Sequence, residues 1–190
     1  MHDVVPASEL HDRMLRFRRQ MDTENPGWEA VVIFGKINLY YFTGTIQDGM
    51  LIIPERGDAV FWVRRSYERA MDESMFPDIR PMKSYRVAAE KMSIPQHRIH
   101  METEVVPLAL AERFRKYFPF SGILPMDRQA AWTRAIKSPF EQSLMKRAGN
   151  IHRTVLEENV PEILRTGMSE AELGTQVYSL MVEQGHQGIV

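Results

Sequence analysis

Two groupings of side chains in this sequence have types and spacing that could do chemistry. His97 and His100 stand three apart with Glu102 two further on, and divalent cations take imidazole nitrogen and carboxylate oxygen in short clusters of this kind. The competing reading is local. Polar and apolar residues alternate over 98–102, so the segment reads as a half-exposed strand on which His100 and Glu102 share a face while His97 stays in a turn after Pro95. That favours an exposed strand edge over a ligand set. Arg64 and Arg65 are adjacent, and guanidinium forks bind carboxylates bidentately, so the pair is a candidate for a substrate carboxylate or a neighbouring subunit. Its alternative is the exposed start of a helix. Other templates are missing: there is no G-x-x-x-x-G-K-[ST] phosphate loop, G-x-G-x-x-G, H-E-x-x-H or G-x-S-x-G elbow, and without cysteine there is no thiol nucleophile or disulfide framework.

These residues must be positioned by a succession of strands and helices. Ser8 is a plausible cap for a helix whose Leu10, Met14, Phe17 and Met21 share a face, with Arg13, Arg16, Arg18 and Arg19 on the wet side and Asn25-Pro26-Gly27 as the stop. Residues 28–34 form a continuous apolar run that suits a central strand covered on both sides. The segment 37–44, rich in aromatics, follows a Gly35-Lys36 turn. Residues 49–53 and 59–63 flank Pro54-Glu-Arg-Gly-Asp58 and read as a β-hairpin. A helix over 64–71, an edge strand at 79–82 broken by Pro81, a helix over 84–92, the strand at 98–102, a helix over 106–118 and a strand at 121–126 complete an alternation that predicts an α/β domain with a mixed sheet.

After that comes a pair of well-signalled helices. Ser138, Pro139 and Glu141 form a capping box with proline in the first turn, and Phe140, Leu144, Ala148, Ile151 and Val155 recur as an apolar stripe. Gly167 ends this part. Ser169 and Glu172 give a second box ahead of Leu173, Val177, Leu180 and Met181, Gly185 stops that helix, and residues 186–190 read as the start of a strand.

The order Arg134-x-x-Lys137-Ser138-Pro139-x-Glu141, with Met145, Ala148 and Ile151 beyond it, resembles the hinge of the aminopeptidase P, prolidase and creatinase family. Asn38-x-x-Tyr41-Phe42-Thr43-Gly44 is similar to that family's N-x-x-Y-L-T-G signature, with Phe42 in place of leucine. The resemblance implies a creatinase/prolidase N-terminal domain over residues 1–131, a six-stranded mixed sheet of ribonuclease H-like layout. It also implies a hinge and the first two helices of an incomplete pita-bread catalytic domain over residues 132–190. The implied activity of a full-length parent is that of an Xaa-Pro dipeptidase or aminopeptidase, a hydrolase cleaving before proline in the second position of a peptide. That chemistry would use a divalent metal pair (Mn, Co or Zn) held by two Asp, one His and two Glu after residue 190, so this chain is expected to bind no catalytic metal and to be inactive by itself. A homodimer is implied, in which the loop 45–49 of one subunit reaches the active-site mouth of the other; Gln47 and Asp48 are therefore substrate-mouth candidates beside Arg64 and Arg65.

Composition narrows the partners. The 24 Lys and Arg balance 25 Asp and Glu, so no net field recruits nucleic acid or an anionic membrane surface. With 44% hydrophobic and 26% charged residues over 190, and no bilayer-length apolar run or signal-peptide layout, the expectation is a cytoplasmic protein. Two rival readings stay open. One is a creatinase-like amidinohydrolase, since the fold does not fix the reaction; the other is a non-catalytic N-domain used for binding or regulation.

Overall fold

The computed structural model describes residues 4–95 and 97–186. Two compact units, Met1–Ile136 and Lys137–Val190, make up the chain.

The first unit is built on a six-stranded sheet in the order β4-β3-β2-β1-β5-β6. Its strands are β1 (Ala30–Ile33), β2 (Gly49–Pro54), β3 (Val60–Val63), β4 (Ile79–Pro81), β5 (Arg98–Met101) and β6 (Gly122–Pro125). The expected hairpin is β2 and β3, with Gly49 opposite Val63. Only β2 runs against its neighbours; β1 with β5, β3 with β4 and β5 with β6 are parallel, which is the ribonuclease H-like arrangement. Every residue of β1 is buried, as the unbroken apolar run demanded. Proline closes β4 at the sheet edge, where its missing N–H costs no ladder bond.

Alternate residues of each strand feed two cores. Ala30, Val32, Met50, Ile52, Trp62, Ile99 and Met101 meet Ala88 of α4 (Tyr85–Ala89) and Ala111 and Phe114 of α5 (Leu108–Arg115). On the opposite side Val31, Ile33, Leu51 and Ile53 are fully buried, and α1 (Ala7–Glu24), α2 (Lys36–Thr43) and α6 (Asp127–Ala135) bury Leu10, Phe17, Met21, Leu39, Phe42 and Ala130. α1 packs on both α2 and α6. The remaining helix of this unit is α3 (Tyr67–Glu73).

Several expectations change. α1 opens at Ala7, without a side-chain cap from Ser8. Arg13 is not on the wet face: it is 4% exposed, its Nε donates to Glu9 Oε1 at 2.7 Å and its Nη1 to the Tyr41 carbonyl at 2.8 Å. The reason is positional, because residues 10, 13, 17 and 21 follow helical spacing and Arg13 shares the buried stripe of Leu10, Phe17 and Met21. Arg18 spans to the hairpin turn, donating to the carbonyls of Glu55 and Gly57. β5 is not half-exposed, since β1 and β6 pair with it on both sides, and His100 and Glu102 are buried. Residues 36–43 form α2, closed by Gly44 in the left-handed region at φ 77°. Residue 131 lies inside α6, a helix the sequence reading did not resolve.

The second unit begins with α7 (Pro139–Arg153), where the Ser138 N–H donates to Glu141 Oε2 at 2.9 Å and the Glu141 N–H to Ser138 Oγ at 3.1 Å. The helix continues as a π-helical segment, Thr154–Asn159, and ends in α8 (Val160–Ile163). Pro161 has no N–H to return to the preceding turn, and the Val160 N–H bonds five residues back to the Val155 carbonyl, which is the wider coil of a π-turn. α9 (Glu170–Glu183) carries the second capping box. Ser169→Ala should cost about 1 kcal/mol of helix stability, because its hydroxyl accepts from the Glu172 N–H and nothing replaces that acceptor at the N-cap. An unchanged helical thermal transition by circular dichroism would contradict this. Of the strand expected at 186–190, all but His186 lies outside the described residues.

Candidate functional site

The parallel strands all end at one edge of the sheet, the edge at which open α/β sheets hold ligands. There β1 runs into Phe34 and Gly35, α2 begins, and β5 delivers Glu102. The Glu102 carboxylate, 1% exposed, accepts from the N–H of Phe34 and of Gly35 and from Asn38 Nδ2, each at 2.7 Å. A Cβ at position 35 would run into Glu102 Oε1, so a larger residue there would have to push the carboxylate off its donors. Asn38 in turn accepts at Oδ1 from Arg134 of α6. Three residues along the helix, Tyr41 donates its hydroxyl to the Thr133 carbonyl at 3.1 Å, and the Arg13 guanidinium lies 4.5 Å from its ring centre. Asn38, Tyr41 and Gly44 thus tie α2 to β5, α6 and α1. Their role here is to hold elements together.

The loop 45–48 follows. Thr45 Oγ1 and Gln47 Nε2 both donate to Glu73 Oε2, at 2.7 and 3.1 Å, and Arg69 pairs with the other Glu73 oxygen. Burial pushes the Glu73 carboxyl up, but the hydrogen bonds from Thr45, Arg69 and Gln47 and the Arg69 charge together hold it below the usual carboxylate range. Asp48 receives the Arg64 guanidinium in a two-pronged pair, and the Arg64 N–H bonds the Asp48 carbonyl at 2.7 Å. The bond to Asp48 raises the Arg64 pKa further above its ordinary range. Asp48, Arg64 and Gln47 are thus gathered on one loop and strand end, whereas Arg65 is exposed and makes no ion pair among the described residues. The carboxylates of Asp48, Glu73 and Glu102 are each engaged by neighbours, which positions the groups at this edge. Thr45 and Glu73 were missed in the sequence, where nothing marks an i to i+28 contact.

His97, His100 and Glu102 do not act together. Glu102 is spent on backbone amides, and among the described residues no three His, Asp or Glu side chains could hold a metal ion. His100 is 3% exposed and neither ring nitrogen has a hydrogen-bond partner among the described residues. Burial holds its pKa below the ordinary 6.5. Because the folded pKa is the lower one, this group's contribution to stability is complete above 6.5 and is lost as pH falls through the folded value. Urea midpoints measured between about pH 7.5 and 5 should therefore fall with acid, and His100→Leu should flatten that slope; an identical slope in the variant would refute the assignment.

The sequence profile of the Creatinase/Prolidase N-terminal domain matches residues 13–136. No curated protein matches by sequence. Among solved structures, prolidase from Pyrococcus horikoshii OT3 superposes with a TM-score of 0.77 at 22% identity, over 92% of this chain and 49% of that one. An Xaa-Pro dipeptidase from Bacillus anthracis gives 0.78 at 18% identity, over 93% and 50%. X-Pro aminopeptidase from Thermotoga maritima MSB8 gives 0.73 at 22%, over 92% and 50%. The chain spans about half the length of these structures, and at such identities they speak to the fold.

Proposed function

Given that this chain belongs to the creatinase/prolidase N-terminal domain family, we propose that it is the N-terminal part of a proline-directed metallopeptidase, an Xaa-Pro dipeptidase or aminopeptidase acting in the cytoplasm. The observation that carries the reading is the profile match over residues 13–136 together with one fold shared over nine-tenths of the chain with structures twice its length. The reaction is hydrolysis of the bond before a proline in second position, with a divalent metal pair supplying the activated water. No residue of this chain is assigned to that metal. The part of this chain is to fold the N-domain, to support a homodimer and to present the loop of Gln47 and Asp48, braced by Glu73 and Arg64, at the substrate mouth of a partner subunit. Among the described residues no helix is long and apolar enough to cross a membrane.

The test is release of free amino acid from Xaa-Pro dipeptides and Xaa-Pro-Xaa tripeptides with Mn²⁺ or Co²⁺, for this chain beside a protein in which it is followed by a ligand-bearing catalytic half. Turnover by the longer protein alone is expected, and the better substrate separates dipeptidase from aminopeptidase. Turnover by neither would favour an amidinohydrolase or a binding module. In the longer protein, replacing Gln47 and Asp48 together by alanine should raise KM by about tenfold, the effect of losing one charged contact. Unchanged KM and kcat would remove the loop from the substrate mouth.

A further inference from the structure

An open cleft of about 390 Å³ lies at the other end of the strands, under the turn that follows α1, and Trp28, Glu29, His97, Arg98, His100 and Leu124 line it. The sheet register orders them. His100 stands between Val31 and Leu124 in one row, and by the pleat Glu29 and Arg98, each two residues earlier, fall in the next row on the same face. Gly122 stands opposite Arg98, where a Cβ would make ordinary van der Waals contact with the Arg98 stem.

Two buried polar groups in this cleft go unanswered among the described residues, and a charged one stands at its exposed rim. Glu29 Oε2 is buried without a donor and both nitrogens of His100 are buried without partners, while Arg98, exposed at the start of β5, makes no ion pair among the described residues. Buried polar atoms are normally satisfied, so the Glu29 and His100 orphans point to something the cleft receives. A lone anion would leave the buried Glu29 oxygen without a donor, and a lone cation would make no use of the Arg98 charge in the same row. The desolvated His100 ring is neutral near pH 7 and offers one N–H donor and one acceptor nitrogen. Trp28, 3% exposed with its indole N–H spent on Asp22, adds an apolar wall beside Leu124.

We propose that this cleft binds the zwitterion of a free amino acid with an apolar side chain. The ammonium donates to Glu29, the carboxylate accepts from Arg98 and from the His100 N–H, and the side chain lies against Trp28 and Leu124. The site is independent of the peptidase reading, and its test does not need turnover.

The full chain labelled at histidine and tryptophan is titrated with L-leucine while the His100 ring and Trp28 indole resonances are followed. Saturable shifts of both are expected. The half-molecules 4-methylpentanoate and 3-methylbutylamine should each bind about tenfold more weakly, as expected for loss of one charge-assisted contact. Glu29→Gln should weaken leucine and spare 4-methylpentanoate, whereas Arg98→Met should weaken leucine and spare the amine. Absence of saturable shifts would mean that ordered water alone fills the cleft. Half-molecules binding as tightly as leucine, or either variant weakening both half-molecules alike, would equally overturn the assignment.

Discussion

Glu102→Ala should lower the stability of the Met1–Ile136 unit by about 3–5 kcal/mol, the largest loss expected from removing any one polar side chain here. Its carboxylate is the acceptor for the Phe34 and Gly35 amides and the Asn38 side chain. With the side chain 1% exposed, water has little access to replace it. Each buried donor stripped of its acceptor costs about 1–3 kcal/mol, and partial entry of water keeps the sum below the simple total. Glu102→Gln should cost less, about 2 kcal/mol, because one oxygen still accepts while an amide N–H₂ faces donors. Gly35→Ala supplies an independent check. Its clash is with Glu102, so the penalty should shrink in the Glu102→Ala background, a coupling that a double-mutant cycle reads directly. Chemical denaturation showing a loss under about 1 kcal/mol for Glu102→Ala, or strict additivity with Gly35→Ala, would show that this carboxylate is not what closes the end of β1.

The second large effect lies in the core on the opposite face of the sheet. Phe114 of α5 is fully buried and sits against Phe34, Tyr85, Phe118 and Phe120, at ring-centre distances of 5.6, 5.8, 4.6 and 6.0 Å. Phe34 and Tyr85 meet it edge-on and Phe118 stacks, so its removal opens a cavity and also ends four ring contacts. Phe114→Ala is expected to cost about 3–5 kcal/mol, and Phe114→Leu less than half of that, since most of the volume returns. Urea unfolding with an unchanged slope would place the effect in packing; equal losses for the two variants would point to the ring geometry instead of the volume.

What could be read from the sequence follows the range of the interactions. Both capping boxes, the hairpin and the stripe of α1 are decided by residues within a few positions of one another, and local spacing found them. The burial of β5 was misread because alternation equates polar with wet, while Glu102 is paid in hydrogen bonds by Gly35 and Asn38, 67 and 64 residues away. Arg13 was misplaced for the same reason, its carbonyl partner being 28 residues on. In α2, Tyr40, Tyr41 and Phe42 lean towards strand and hid a helix whose Gly44 stop was visible. The signature residues Asn38 and Tyr41 were recognised by resemblance, but their clamp on Glu102 and Thr133 was not readable. The Asp48–Arg64 pair was within reach: once Gly49 and Val63 are placed opposite each other in the hairpin, the next residues out must face across the same ladder.

The coil at Thr154–Asn159 has a consequence of phase. One extra residue in a helical turn sets back everything beyond it by about 100°, a single residue's rotation in an α-helix. The stripe that runs Phe140, Leu144, Ile151 cannot be extrapolated through Pro161 by counting in threes and fours, because the ruler itself slips before it gets there. A one-residue deletion inside 154–159 would restore even winding while rotating α8 relative to α7. The segment therefore works as a register pin, fixing by its length which side of the helix the residues after it present.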